Sequence, residues 1–231
     1  MRFLINSRKF TDIADILLKP FLILSLISLF IGLIFAFFLS PEDYQQGSSV
    51  RIMYVHVPSA WLSLMTYLIM TVYSIIALAF RLPFGFIINA AVAPIGATFT
   101  LVCIISGSLW GKPMWGTWWV WDARLTSVAV LFIVYLIIIF INYSFENIRV
   151  REKISAIFVL VGSVNLPIVK FSVDWWNTLH QPATISKLSK PSIDPSMMAP
   201  LVIMTIAFIF IGITIAILRI KTEIFAREQN L

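Results

Sequence analysis

The sequence predicts an all-α integral membrane protein with six transmembrane helices, folded as a single polytopic membrane domain over residues 1–231. Hydrophobic residues make up 60% of the chain and charged residues 12%, and the mean hydropathy is +0.94. Soluble domains average about 45–50% apolar and about 25% charged residues. Six apolar runs are each close to the ~20 residues that a helix needs to cross a bilayer. These observations together exclude an ordinary soluble domain.

Local signals at the ends of the apolar runs define the six spans. The first run lacks a small-residue cleavage site before a short apolar core, so we expect it to be retained as a helix. Pro58 is expected in the first turn of the second span, where its missing N–H costs nothing, and Pro94 is expected to kink the third span. Asn165, Pro167 and Lys170 interrupt the outer end of the fifth span. The predicted spans are residues 20–39, 58–80, 86–108, 125–143, 154–171 and 197–218.

The basic residues favour an orientation with both termini in the cytoplasm. With that orientation, eleven Lys and Arg residues lie on the inner side and six on the outer side, as the positive-inside rule requires. The inner residues are Arg2, Arg8, Lys9, Lys19, Arg81, Arg149, Arg151, Lys153, Arg219, Lys221 and Arg227. The outer residues are Arg51, Lys112, Arg124, Lys170, Lys187 and Lys190.

The densest chemical signal is the stretch at 110–126, which reads WGKPMWGTWWVWDARLT. It holds five of the eight tryptophans and lies in a predicted outer loop at 109–124. The other three are predicted on the same outer side, Trp61 in the first turns of span two and Trp175 and Trp176 in the third outer loop. Aromatic residues that only anchor a protein populate both membrane interfaces. The one-sided cluster therefore favours a binding surface for a large, flat, partly apolar ligand, with simple anchoring as the alternative.

The tryptophan stretch is expected to form a surface loop or a short amphipathic helix lying on the membrane. If residues 115–122 are helical, Trp115 and Trp119 share one face with Asp122, and Trp118 and Trp121 form the neighbouring row. Gly116 would let a ligand or a neighbouring backbone approach closely.

Both histidines, His56 and His180, are predicted on the same outer side as the tryptophans, His56 just before span two and His180 in the third outer loop. A single loop histidine is more often structural, but a pair beside an aromatic surface favours two axial ligands for a haem iron. The propionates of a haem would need nearby cations, for which Arg124, Lys112 and Arg51 are the candidates.

Other residues have simpler explanations. Asp122 is expected to cap the helix of span four or to pair with Arg124 rather than to contact a ligand. Lys187 and Lys190 are expected to be solvated, and Cys103 is expected to be an inert core residue. The net charge of +6 follows the span ends and does not indicate nucleic-acid binding. No CxxCH and no Walker sequence is present, so this chain is neither a c-type cytochrome nor an ATPase.

The tryptophan stretch resembles the signature WGxxWxWD of the haem-handling membrane proteins of cytochrome c assembly. Trp115, Gly116, Trp119, Trp121 and Asp122 match that signature. The segments YVHVPSAW at 54–61 and VDWWNTLHQPAT at 173–184 are also similar to the family. The six-span CcmC type (haem exporter protein C of the system I maturation pathway) fits best, since it has one histidine in the first outer loop and one in the third.

The resemblance implies a haem-binding and transfer protein of the bacterial inner membrane that is not an enzyme. It implies that haem b is held at the periplasmic face by His56 and His180, over a platform that includes Trp115, Trp119, Trp121 and Asp122. The implied partners are a periplasmic haem chaperone, the ATPase and permease subunits of an ABC transporter, and a small membrane subunit.

Two alternatives belong to other classes of protein. An ABC-type permease subunit moving another apolar substrate would explain the spans but not the one-sided tryptophans. A complete cytochrome c synthase would need further spans and further histidines than the two present.

Overall fold

The computed structural model of the protein describes residues 7–181 and 193–229. Within them six helical segments are long and apolar enough to cross a membrane, so the prediction of an all-α multi-pass membrane protein is confirmed. The helices are α1 (Ser7–Ile34), α2 (Met53–Phe80), α3 (Pro83–Trp115), α4 (Ala123–Ser144), α5 (Ile148–Gly162), α6 (Asn165–Trp175) and α7 (Pro195–Glu228). Some residues named in the predictions lie outside the described residues. They are Arg2, Lys187, Lys190 and residues 182–184 of the family-like segment.

The second span begins earlier than its apolar run indicates. A 3₁₀ turn at Ser48–Ile52 leads directly into α2 at Met53, so Pro58 lies inside the helix and its predicted place in the first turn is wrong. A proline inside a helix removes one hydrogen bond. Transmembrane helices tolerate this where neighbouring elements pack around the gap, and Pro58 is buried.

The third span is also longer than predicted, because α3 continues to Trp115 instead of ending near 108. Gly116 ends it with a positive φ of 75° and donates its N–H to the Lys112 carbonyl oxygen, a conformation that glycine adopts without strain. Hydropathy marks only the part of a helix that crosses hydrocarbon, so it misses polar or aromatic turns beyond it. Pro94 lies within α3, and the kink there stays a prediction.

The fifth span is broken into α5 and α6 by a turn at Ser163 and Val164. Pro167 has no N–H to donate to the Ser163 carbonyl, and its ring crowds that oxygen, which favours a break at this turn. The Asn165 side chain donates to the Ser127 carbonyl oxygen of α4 at 2.9 Å. The interruption predicted at the outer end of this span is therefore a real break that brings α6 against α4.

The bundle is organised around α3, since 67% of its most apolar window is buried. It packs most closely against α2, where the two helices approach at Gly85. A Cβ at Gly85 would lie 2.6 Å from the Tyr73 carbonyl oxygen and 2.8 Å from the Ala77 Cβ. Small residues permit such approaches between membrane helices, so the α2–α3 contact depends on the absence of a side chain here.

Buried tyrosines join α2 to α4 and α5 through backbone carbonyl groups. The Tyr67 hydroxyl donates to the Val159 carbonyl at 3.1 Å, and the Tyr135 hydroxyl donates to the Ser63 carbonyl at 2.7 Å. The two rings meet edge to face with centroids 5.2 Å apart. A buried hydroxyl with a partner avoids the cost of an unsatisfied polar group, so these contacts fix the packing of the core.

The two ends of the bundle differ in character. Each span reverses the chain, so the connections at 40–52, 116–122 and 176–181 share one end, which we call the aromatic end. At the opposite end, ion pairs join Lys221 of α7 to Asp15 of α1 and Arg227 of α7 to Glu152 of α5. The orientation of these ends relative to the cytoplasm stays a prediction.

We predict that Gly85→Ala lowers the free energy of unfolding by about 1–3 kcal/mol, because its Cβ overpacks the α2–α3 contact. Thermal unfolding in detergent measures this. Gly212→Ala is the control, since its Cβ would lie at an ordinary 3.5 Å from the Phe99 ring and both variants gain the same helix propensity. Equal unfolding temperatures for the two variants would contradict the prediction.

Candidate functional site

A cavity of about 930 Å³ opens at the aromatic end of the bundle. Its walls come from the connection at 41–46, the first turns of α2, the last turns of α3, the start of α4, the end of α6 and the start of α7. Ligand sites in proteins are typically clefts of about 300–1,000 Å³ with apolar walls and a few placed polar groups. The volume therefore suits a large ligand.

His56 lies on a helix and is braced by a second helix. It belongs to the second turn of α2, so its predicted position in the loop before the second span is wrong. The residues before Pro58 are helical because the 3₁₀ turn continues into α2. The His56 Nδ1 lies 3.1 Å from both the Cys103 carbonyl oxygen and the Ser106 hydroxyl on α3. A carbonyl oxygen only accepts, so Nδ1 carries the hydrogen and Nε2 carries the lone pair.

His180 lies in the irregular segment that follows α6. Its Nδ1 donates to the carbonyl oxygen of Gln181 at 2.8 Å, so its Nε2 also carries a lone pair when the ring is neutral. Burial first, and then the positive charge of Arg124, lower the pKa of His180 below its ordinary value of 6.5. The ring is therefore neutral at pH 7, the form that binds metals.

The two histidine rings lie together across the cavity. Their centroids are 6.3 Å apart with an angle of 35° between the ring planes, although the residues are far apart in sequence. Metal–imidazole bonds are about 2 Å long. Two such bonds, together with the distance from each ligand nitrogen to the centre of its ring, add up to roughly this separation of the centroids. The geometry brings together the two residues that the sequence predicts as a pair.

The structure divides the tryptophans into two groups. Trp61, Trp110, Trp115 and Trp119 line the cavity. Trp118 is 55% exposed and Trp121 is 80% exposed, and neither is among the lining residues, nor is Gly116.

The possible amphipathic helix at 115–122 is wrong, because α3 ends at Trp115 and the segment up to Asp122 is irregular. The left-handed Gly116 stops the helix, so the tryptophans do not follow helical spacing. A T-shaped contact joins Trp119 to Trp121 at 5.6 Å, and another joins Trp110 to Trp115 at 5.1 Å.

Asp122 caps α4, which is one of the two roles predicted for it. Its Oδ1 accepts the N–H of Leu125 at 2.8 Å, the usual N-cap bond. Its Oδ2 accepts the N–H of Leu179 at 3.3 Å, next to His180. Asp122 thereby ties the segment that carries His180 to the start of α4, without lining the cavity itself.

Arg124 is the predicted cation that reaches the cavity wall. Its guanidinium donates to the carbonyl oxygen of Val169 on α6, not to Asp122. The break in the fifth span redirects the chain at the start of α6 and brings the Val169 carbonyl within reach of the guanidinium. A neutral carbonyl leaves the positive charge of Arg124 available to an anion, although the carboxylates of Asp122 and Asp174 also act on it from nearby.

The other two predicted cations lie elsewhere. Lys112 donates to the Gly116 carbonyl at 3.1 Å and lies 5.8 Å from the centroid of the Trp118 ring, and Arg51 is likewise absent from the cavity wall. Lys170, in the middle of α6, does line the cavity. Lys170 is not among the candidate cations that the sequence predicts for a propionate. Its place in the predicted outer basic group was the available signal.

Sequence reasoning also missed the polar residues that position the site. The Trp110 indole N–H donates to the Gln46 side-chain oxygen at 2.8 Å, which joins the first connection to α3. Ser106 bonds His56 as described above. These contacts join residues 64 and 50 positions apart, and no local pattern in the sequence signals them.

The fold and this site define a polytopic helical membrane protein with a cavity walled by histidines and tryptophans at one end of its bundle. The chain belongs to the heme exporter protein C family, whose sequence model matches residues 1–231. The family resemblance carried by the tryptophan signature is thereby confirmed.

Individual relatives agree with this assignment. The chain is 46% identical to heme exporter protein C of Bradyrhizobium diazoefficiens over 190 residues, which is 82% of this chain and 72% of the relative. It is 44% identical to heme exporter protein C of Escherichia coli K12 over 208 residues, or 90% and 84% of the two chains. It is 46% identical over 175 residues to a putative cytochrome c biosynthesis ccmC-like mitochondrial protein of Marchantia polymorpha, or 74% and 72%.

We predict that Arg124→Gln raises the pKa of His180 towards 6.5, because it removes a positive charge that opposes protonation. The increase is partial, since burial is the larger cause. An NMR titration of protein labelled at histidine measures it. Arg149→Gln, an exposed residue at the start of α5, is the control and leaves the pKa unchanged. A pKa of His180 that stays constant in Arg124→Gln would show that the charge of Arg124 does not act on the ring.

Proposed function

We propose that this protein binds haem in the cavity at its aromatic end and delivers it to a periplasmic haem chaperone for the biogenesis of c-type cytochromes. The observation that carries the proposal is the pair His56 and His180, with ring centroids 6.3 Å apart in a tryptophan-lined cavity. Relatives named heme exporter protein C and a mitochondrial relative named for cytochrome c biosynthesis support it.

The donor set fits haem iron. A porphyrin supplies four nitrogen ligands, so two further ligands on opposite faces complete six coordination. His56 and His180 each donate Nδ1–H to a backbone carbonyl, which leaves Nε2 as the ligand nitrogen on both rings. Hydrogen bonds of this kind orient metal-bound histidines and increase their basicity.

The cavity walls also fit the cargo. Trp61, Trp110, Trp115 and Trp119 present aromatic surface to the interior, and such surfaces contact a flat macrocycle by dispersion and stacking. Cys103 lines the cavity, but the chain has a single cysteine and no CxxCH motif, the pattern by which c-type haem is attached covalently. We therefore propose that the cargo is haem b, held without a covalent link.

The propionates need cations at the rim of the cavity. Arg124 and Lys170 both line it, and Arg124 is the stronger candidate because its partner at Val169 is a neutral carbonyl. Charge-assisted hydrogen bonds from a guanidinium suit a carboxylate well. Lys112 and Arg51, which lie away from the wall, are weaker candidates than the sequence indicates.

Hand-over to a partner would use the exposed part of the tryptophan segment. Trp118 and Trp121 present large aromatic surfaces beside the cavity, and surfaces of this kind are enriched at protein interfaces. The cavity and the exposed tryptophans lie at one end of the bundle, so a chaperone docked there would meet the cargo directly. The positive-inside distribution of Lys and Arg supports the proposal that this end faces the periplasm from the bacterial inner membrane.

The remaining proposed partners supply what this chain does not. We propose that this protein acts with the ATPase and permease subunits of an ABC transporter and with a small membrane subunit, and that any ATP hydrolysis occurs in the ATPase. The activity of the chain itself is binding and transfer of haem, without turnover of a substrate.

We predict that His56→Ala and His180→Ala each abolish the low-spin haem spectrum of the purified protein, because each removes one axial ligand. Absorption spectra of the oxidised and reduced proteins, recorded in detergent, measure this. Tyr143→Ala, a 72% exposed aromatic residue at the far end of α4, controls for general damage and keeps the pigment. A wild-type protein that stays colourless when haem is supplied would favour a permease for another apolar substrate.

We predict that Arg124→Gln lowers the affinity for haem by roughly tenfold to a hundredfold, which corresponds to the loss of one hydrogen bond to a charged group. Titration of the cargo-free protein with haem and with haem dimethyl ester measures this. The ester has no carboxylates, so its affinity is expected to be the same for wild type and variant. An equal loss for both ligands would mean that Arg124 supports the fold at Val169 and does not bind a propionate.

A further inference from the structure

The contacts of His56 with α3 determine more than the position of its ring. Nδ1 has two neighbours at 3.1 Å, the Cys103 carbonyl oxygen and the Ser106 hydroxyl. Either nitrogen of a neutral imidazole can bind a metal, and because Nδ1 of His56 is bonded to α3, Nε2 is the nitrogen left for that role. The surroundings of Nδ1 therefore decide whether His56 presents a ligand.

The Ser106 hydroxyl acts as an acceptor towards His56. Its own hydrogen is donated along α3, to the Val102 carbonyl at 2.6 Å, with the Cys103 carbonyl as a longer second acceptor at 3.2 Å. The Cys103 carbonyl, beside the same Nδ1, has no hydrogen to donate. Two acceptors thus face Nδ1, and a hydrogen on Nδ1 makes a favourable contact with both of them.

Gly107 supplies the space that the ring occupies. A Cβ at this position would lie 3.0 Å from the His56 Cε1, closer than ordinary van der Waals contact. Ser106 and Gly107 are adjacent on α3. Ser106 accepts the hydrogen bond from the His56 ring, and Gly107 leaves room for the edge of the same ring.

On the basis of the proposed function, we infer that Ser106 and Gly107, together with the Cys103 carbonyl, are positioning residues that hold His56 in the tautomer with its Nε2 lone pair facing the cavity before haem arrives. Ser106 does not line the cavity, whereas Gly107 and Cys103 do; in this role each residue acts through His56. Acceptors at Nδ1 also increase electron donation from Nε2, which favours ferric over ferrous iron.

The first test uses the cargo-free protein. Nitrogen-15 NMR of protein labelled at histidine reports which ring nitrogen carries the hydrogen, and a His180→Ala sample assigns the signals, since the chain has two histidines. In wild type we expect His56 with its hydrogen on Nδ1. In Ser106→Ala the population with hydrogen on Nε2 increases, and Ser106→Thr, which keeps the hydroxyl, restores the wild-type signal.

The second test uses the protein loaded with haem. Ser106→Ala is expected to weaken haem binding about tenfold, at the lower end of the effect of losing a partner of a metal-bound histidine, because the Cys103 carbonyl remains. The midpoint potential becomes more positive. Gly107→Ala displaces the ring and gives a partly high-spin spectrum. Matched controls are Ser28→Ala, which loses a similar bond to a carbonyl one turn back at 2.6 Å, and Gly212→Ala.

The outcomes separate this inference from the proposed function. A wild-type His56 with its hydrogen on Nε2 in the cargo-free protein would overturn the inference, whatever the haem spectra show. Unchanged tautomer, affinity and potential in Ser106→Ala would also overturn it. If the tautomer behaves as expected but wild type binds no haem, the positioning of His56 holds and the proposed function fails.

Discussion

The close approach of α2 to α3 is the contact on which the rest of the structure depends. It is made near both ends of the pair by glycines of α3, Gly85 against Tyr73 and Ala77 at one end and Gly107 against His56 at the other. Apolar surface gives little drive for association between helices inside a bilayer, so close packing and hydrogen bonds must hold them. The same contact that stabilises the bundle therefore sets the position of a histidine in the cavity.

Interruptions in the regular helices determine where several polar and aromatic groups of the site lie. The break before α6 brings the Val169 carbonyl to Arg124, and the left-handed Gly116 releases the tryptophan segment from helical spacing. Irregular backbone at membrane depth is tolerated where it lines a cavity or is buried in protein. The aromatic end of this bundle follows that rule, because the helix breaks and connections there surround the cavity.

The number and order of the spans could be predicted from the sequence, since hydropathy is a local property and each run is long. The pairing of His56 and His180 could be predicted as well, because alternating spans place both at one end. The ends of the helices could be predicted less well from the sequence, because Trp110 and Lys112 look like loop residues but belong to α3. Which tryptophans line the cavity depends on the irregular backbone after Gly116, and the bond from His56 to Ser106 joins residues 50 positions apart. Such contacts arise only when the helices pack.

The two histidines are supported unequally, and this has a thermodynamic consequence. His56 is fixed between two packed helices, whereas His180 bonds to the adjacent Gln181 and follows a segment joined to Asp122 by one 3.3 Å bond. Ordering the backbone of a single residue costs about 1–2 kcal/mol. Under the proposed function, any such cost of binding would fall on the side of His180. The proposed cargo would then leave through rearrangement of a short segment, without separation of α2 from α3, and a few residues rather than the stability of the bundle would set the barrier to its release.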